Sequence, residues 1–366
     1  MKLCFLADVR SIHTRRWVEY FAKEHEIDMI TLNYTNKEGI IQEEVYEKMG
    51  VRVHKVSKTM PFLLFAPFKI RRLIKKIKPD IVHAHYVTQY GFCGAFSGFH
   101  PLVISAWGSD VLVDPKKSKI FGFMVKFGLG GADLITCNGE NLKETIMELS
   151  KDHQKIKIVY HGVDTKNFNP SKRDKAIIKS LFKDDFPTVI STRGLKPIYD
   201  VESLIKAIPL VLKQVPDAKF IVANNGSQEA HLKELAKSLD ILDSIKFVGM
   251  IKHDELPKYL ASSDVYVSTS LSDGIALSTM EAMACELTPV ITGVGDNKNW
   301  VRDGQNGFVV STKDPKSLAE KIIYLLENED VRKRFGEVSR KIIEEKGDYY
   351  REMEKMKELY EEMARG

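Results

Sequence analysis

The residues best suited to chemistry lie in one stretch, SDGIALSTMEAMA, from Ser272 to Ala284. The preceding DVYVS reads as a strand and Ser272-Asp273-Gly274 as a turn, with a helix expected from about Ala276. Backbone N–H groups at a helix start lack intrahelical partners and attract phosphate or another anion. Asp273 and Glu281 are eight residues apart, which at about 1.5 Å per helical residue is up to roughly 12 Å. That is the reach from a sugar ring across a diphosphate to a ribose, so the two carboxylates suit hydroxyls at both ends. The other reading makes Asp273 an N-cap and puts Glu281 on a solvated face. The neighbours Met280, Ala282, Met283 and Ala284 weigh against it.

TRGLKPIYDVESLIKAI (192–208) adds Arg193 and Lys196, cations suited to the charge that gathers on a leaving diphosphate. The first turn, ADVRSIHTRRW (7–17), has no glycine, so it offers Arg10, Ser11 and His13 as side chains and not a bare backbone. That loop also argues against a dinucleotide dehydrogenase, which needs G-x-G-x-x-G there. His83 and His85 close a strand, and alternation puts them on one face. Each is read either as an acceptor-side group or as a satisfied structural histidine. No His/Cys/Asp grouping has metal-ligand spacing.

The elements that must position these residues alternate along the chain. LCFLA (3–7) reads as a strand and RRWVEYFAKE (15–24) as a helix with its aromatic residues at helical spacing. IDMITL, VRVHKV, DIVHAH, LVISAW, DLITC and IKIVY continue the strands as far as Tyr160. HGVDTKNFNPSKRD (161–174) breaks the rhythm as a connection. PTVIST, AKFIVA, IKFVG, DVYVST, TPVIT and GFVV then form a second series, and polar helices at 314–345 and 348–364 close the chain. Strands alternating with helices predict parallel βαβ units, with ligands at the carboxyl ends of the strands.

Composition sets the class. The 366 residues are too many for one comfortable core, and 43% hydrophobic with 29% charged residues describes a globular chain. A net charge of +5 is too small to argue for nucleic acid. Cys4, Cys93, Cys137 and Cys285 are widely spaced and read as buried thiols of a cytoplasmic protein. The N-terminus does not read as a signal peptide, and no run approaches the roughly 20 apolar residues of a membrane span. PFLLFAPFKIRRLIKKIKP (61–79) is a basic amphipathic segment, read either as a contact with anionic lipid at the inner face of the membrane or as an ordinary surface helix.

Taken in order, these segments resemble the retaining GT-B glycosyltransferases, family 4 in particular. The landmarks are the carboxylate-x7-carboxylate stretch, the 192–208 segment, VHAHYVTQYG (82–91), SAWGSDVL (105–112), HGVDTKNFNP (161–170) and GQNGFVV (304–310). The resemblance implies an α/β chain of two Rossmann-like doubly wound domains facing across a cleft. It divides the chain into an acceptor-side domain over 1–165, a nucleotide-sugar-binding domain over 166–345 and a final helix, 346–366, packed back on the first. It implies sugar transfer from a UDP- or GDP-linked donor to a lipid, glycan or small-molecule acceptor, with retention and with neither metal nor cofactor. Asp273 would contact the sugar and Glu281 the ribose. Gly274, Ile275, Ala276 and Leu277 would hold sugar and phosphates, and Arg193 with Lys196 the leaving group. Gly249, Met250 and Arg10 join the donor site, and His85 and Asp110 the catalytic set.

The departures are as informative. The family's first acid is usually Glu and here is Asp273. Its basic pair is Arg and, five residues on, Lys, where this chain has Arg193 and Ile198. Glu286 replaces a usual Gly, and Trp107 stands where most members have His. A sugar-nucleotide epimerase of the same architecture and a non-catalytic nucleotide-sugar-binding protein are the alternatives.

Overall fold

A computed structural model describes residues 1–32, 43–57, 65–274 and 276–365. The alternating pattern folds as expected into two parallel α/β sheets, one of seven strands and one of six. The chain divides into two compact units, Met1–His161 with Arg351–Gly366, and Gly162–Tyr350.

The first unit holds β1 (Lys2–Leu6), β2 (Glu26–Thr31), β3 (Arg52–Lys55), β4 (Ile81–His85), β5 (Leu102–Ala106), β6 (Leu134–Cys137) and β7 (Ile156–Ile158). Their order is β3-β2-β1-β4-β5-β6-β7. Strands β1, β4, β5 and β6 are buried along almost their whole length, as a sheet covered on both faces requires. The first helix runs Ile12–Phe21 and not from Arg15, because Ser11 caps it by accepting the N–H of Thr14. Thr14, Trp17, Val18 and Phe21 form its buried stripe.

The last helix, Tyr349–Arg365, supplies its residues from Arg351 onward to this unit. Buried Tyr360 bonds His83 Nδ1 at 2.5 Å, and Tyr20 donates to Glu354 at 2.8 Å. Glu352 accepts the backbone N–H of Tyr160 at 2.6 Å. Burial of such aromatic and aliphatic side chains contributes about 2–3 kcal/mol each.

The second unit holds β8 (Thr188–Ser191), β9 (Lys219–Ala223), β10 (Ile245–Gly249), β11 (Val265–Ser268), β12 (Thr288–Thr292) and β13 (Phe308–Val310). They lie in the order β10-β9-β8-β11-β12-β13. Entry and exit of this unit pass against each other. Val163 bridges to Asp348, and a Cβ on Gly162 (φ +63°) would fall 2.5 Å from Tyr349 Cα. Only glycine fits there. All four cysteines are free and buried.

Both sheets reverse their strand order once, between β1 and β4 and between β8 and β11. The carboxyl ends of those strand pairs are where doubly wound sheets place ligands.

Candidate functional site

Arg193 follows β8 and Asp273 follows β11, so the sheet order itself brings two distant segments together. The Arg193 Nη2 donates to Asp273 Oδ2 at 2.5 Å, and Nη1 donates to Ser278 Oγ at 2.9 Å. Tyr266 also donates to Ser278, at 2.9 Å, and the guanidinium lies 4.3 Å from the centre of the Tyr199 ring. Arg193 is only 8% exposed, and among the described residues its buried Nε–H has no acceptor. A buried charged donor of this kind wants an oxygen partner.

The helix expected from about Ala276 runs Leu277–Ala284. Its N-cap is Ala276, which has no side-chain acceptor to offer, so Asp273 is not the cap. Thr279 N–H turns back to Ala276 O, and the N–H groups of Leu277 and Ser278 at the helix start suit an anion. Glu281 is 8% exposed and not on a solvated face; its Oε1 lies 3.9 Å from His253 Nε2. The site loops are held by close backbone approaches. Asp296 N–H donates to Gly274 O, and a Cβ on Gly295 (φ +54°) would fall 1.8 Å from Asp273 O. A Cβ on Gly226 would fall 2.0 Å from Leu195 O.

The remaining residues named from sequence around this site are less engaged. Lys196 is exposed at the start of the short turn Pro197–Tyr199. Gly249 ends β10 with φ +70° and its carbonyl accepts from Asn224 at 2.6 Å, while Met250 is exposed. Gly274 is exposed and Leu277 half-buried. Ile275 lies outside the described residues.

At the switch point of the first unit, His83 and His85 share one face with ring centroids 4.6 Å apart. Both are buried, and burial holds both imidazoles neutral, His83 at a pKa of about 3 and His85 well below the ordinary value. His83 is fully bonded, to Tyr360 and at 2.7 Å to Ser105 Oγ, which fits the structural reading. Among the described residues His85 is bonded on Nδ1 only, to Thr14 Oγ1 at 3.3 Å. Buried Asp110 accepts the N–H groups of Val87 (2.8 Å), Gly108 (2.8 Å) and Trp107 (3.1 Å), so it ties the loops after β4 and β5 together. Burial raises its pKa to about 6 against those bonds. Arg10 folds onto its neighbour Asp8, with Nη2 2.7 Å from Oδ2.

Sequence reasoning missed Ser278, Tyr199 and Tyr266, which orient Arg193 through contacts that no spacing announces. His161, in HGVD, has no role that its spacing announces. The basic segment 61–79 has its described part in the helix Ala66–Ile77; residues 61–64 lie outside the described residues.

Residues 2–139 match the family described as Glycosyl transferase 4-like, and residues 172–342 that described as Glycosyl transferases group 1. The chain is 25% identical over 332 residues to N-acetyl-alpha-D-glucosaminyl L-malate synthase of Bacillus anthracis, covering 88% of this chain and 85% of that protein. It is 30% identical over 193 residues to a GDP-mannose-dependent monoacylated alpha-(1-6)-phosphatidylinositol monomannoside mannosyltransferase of Corynebacterium glutamicum, half of each chain. The fold matches that of Anabaena HepE, solved in complex with UDP, with a TM-score of 0.82 and 17% identity over 99% of this chain and 100% of that one.

Proposed function

Because the chain belongs to the group 1 glycosyl transferases of GT-B fold and is therefore a glycosyltransferase, we propose that its second unit holds a nucleoside-diphosphate sugar at Arg193, Asp273 and Glu281. The observation that carries this reading is the buried Arg193, fixed by Asp273 and Ser278 at the switch point with its Nε–H still unmet. A diphosphate oxygen supplies the missing acceptor. The uncapped start of the helix Leu277–Ala284 faces the same charge with backbone N–H groups.

In the proposed reaction the bond from the anomeric carbon to the diphosphate oxygen breaks, and a bond to an acceptor oxygen forms on the same face. The acceptor proton passes to the leaving diphosphate, so no protein base is needed. Arg193, with Lys196 beside it, stabilises the charge that grows on the diphosphate. Asp273 accepts hydrogen bonds from the sugar and Glu281 from the ribose. His85 lies on the acceptor side, and Asp110 acts as a positioning residue. Either uridine or guanosine suits this scheme, since related proteins use each: HepE was solved with UDP and the mannosyltransferase is named for GDP-mannose. Activity in Arg193→Ala or Glu281→Ala is expected to fall about 10²-fold or more, and the product anomer, read by NMR, is expected to match the donor. Full activity in both variants, or an inverted product, overturns the assignment.

A second observation bears on where the acceptor comes from. The helix Ala66–Ile77 exposes Lys69, Arg71, Arg72, Lys75 and Lys76 and contains no acidic residue. Beside it, rings join in a chain: Phe68 to Phe96 (4.9 Å), Phe96 to Phe92 (6.3 Å), Phe92 to Phe127 (5.4 Å) and Phe127 to Phe123 (5.8 Å). Phe68 is 59% exposed, Phe123 60% and Ile120 72%. Exposed rings ringed by cations suit the headgroup layer of an anionic bilayer. We propose peripheral binding there, which would bring a lipid-linked acceptor to the first unit. No helix of the described residues is long and apolar enough to cross a membrane.

A further inference from the structure

Four rings gather at the switch point of the first unit: His13 after β1, His85 at the end of β4, Trp107 after β5 and His161 after β7. His13 stacks on His161 with centroids 4.4 Å apart and planes at 18°. Trp107 stands edge-on to both, at 5.8 and 5.6 Å, and lies 4.9 Å from His85. Among the described residues, each ring carries one buried nitrogen with no hydrogen-bond partner: His13 Nδ1, His85 Nε2, Trp107 Nε1 and His161 Nδ1. Native interiors seldom leave such atoms unmet, and four in one cluster call for a common cause. His83, two residues from His85, has both nitrogens bonded, while Trp17 Nε1 beside His85 and the two nitrogens of His25 are further buried atoms of this unit left unmet among the described residues.

The chemistry of the four atoms agrees. An indole N–H can only donate, and a neutral imidazole can turn its one proton to either nitrogen. His85 Nε2 carries the proton when Thr14 donates to Nδ1. All four nitrogens can therefore donate at once, and together they need oxygen acceptors. Arg16 acts on His13 and on His161, while the buried Asp110 carboxylate is taken up by the backbone N–H groups of Trp107 and Gly108.

We propose that His13, Trp107 and His161, over His85, form a subsite for an oxyanion, a carboxylate or phosphate group carried by the sugar acceptor. The inference rests on the first unit being the acceptor's. It gives Trp107 and the glycine-free first turn a shared purpose.

Thermal-shift titrations with malonate and with inorganic phosphate, at ionic strength fixed by chloride, test the subsite and tell the two oxyanions apart. They are run with and without saturating UDP or GDP. The expected result is a saturable rise in Tm with at least one oxyanion, additive with the nucleotide. In Trp107→Phe and His161→Phe the oxyanion affinity is expected to drop tenfold or more while the nucleotide response is unchanged. His13→Gln is read the same way if Trp107→Phe does not fold. The subsite is overturned by no rise beyond chloride, by a rise that nucleotide or Arg193→Gln abolishes, or by undiminished oxyanion binding in these variants. Loss of the nucleotide response in wild type, with the oxyanion response intact, defeats the donor-site reading instead.

Discussion

Arg193 shows how one side chain can organise a site. Its Nη groups are spent on Asp273 and Ser278, a ring lies against its plane, and its Nε–H is left over. Arg193 and Asp273, which the sequence singled out by charge and spacing, are brought into contact by the fold. The role of Ser278 was not legible in the sequence, since a serine in the first turn of a helix reads as filler until its partner across 85 residues is known.

The buried imidazoles make a residue-scale prediction. Burial depresses the pKa of His13 to about 4 and of His83 to about 3, and holds His85 and His161 well down. Unfolded histidines titrate near 6.5. Between those limits the unfolded chain binds more protons, so stability is present above about pH 6.5 and is lost as pH falls toward 4. Each imidazole contributes a slope of up to about 1.4 kcal/mol per pH unit. Hydrogen exchange of β1, β4 and β5 is expected to quicken steeply between pH 6.5 and 5, and less so in His83→Gln. Identical pH slopes in the two proteins would contradict this.

At the scale of elements, apolar runs placed the strands closely, since a buried parallel strand has little choice of residue type. IKFVG spans β10 end to end. The first helix began three residues earlier than its aromatic spacing implied, because a serine cap and not the apolar stripe sets a helix start. The close approaches at Gly295 and Gly226 were invisible, being contacts between loops far apart in the chain. The aromatic chain from Phe68 to Phe123 was only half legible, because the helix Lys119–Gly131 joins the basic helix through Phe96 and Phe92. Flotation with vesicles of neutral or anionic lipid tests that surface. Binding is expected only with anionic vesicles and is expected to be lost both in Phe123→Glu and on changing Lys75 and Lys76 to Gln. Equal flotation with neutral lipid, or none with either, would sink the idea.

At the scale of the molecule, strand order does most of the positioning. Each sheet reverses once, and each reversal collects the chemistry-bearing residues of its unit: Arg193 and Asp273 in one, His13 and His85 in the other. The alternation of strands and helices revealed the doubly wound class, yet not which loops would meet, because order in a sheet is decided by tertiary packing. Trp107 was least legible, since it departs from the family's pattern and its ring partners come from loops far apart in the chain.

The central claim is that the reversal between β8 and β11 holds a nucleoside diphosphate. Isothermal titration of the protein with UDP and with GDP tests it most directly. One of the two is expected to bind at a single site, with affinity reduced about tenfold or more in Arg193→Ala and in Glu281→Ala. Failure of both nucleotides to bind, or binding that neither substitution weakens, would contradict it.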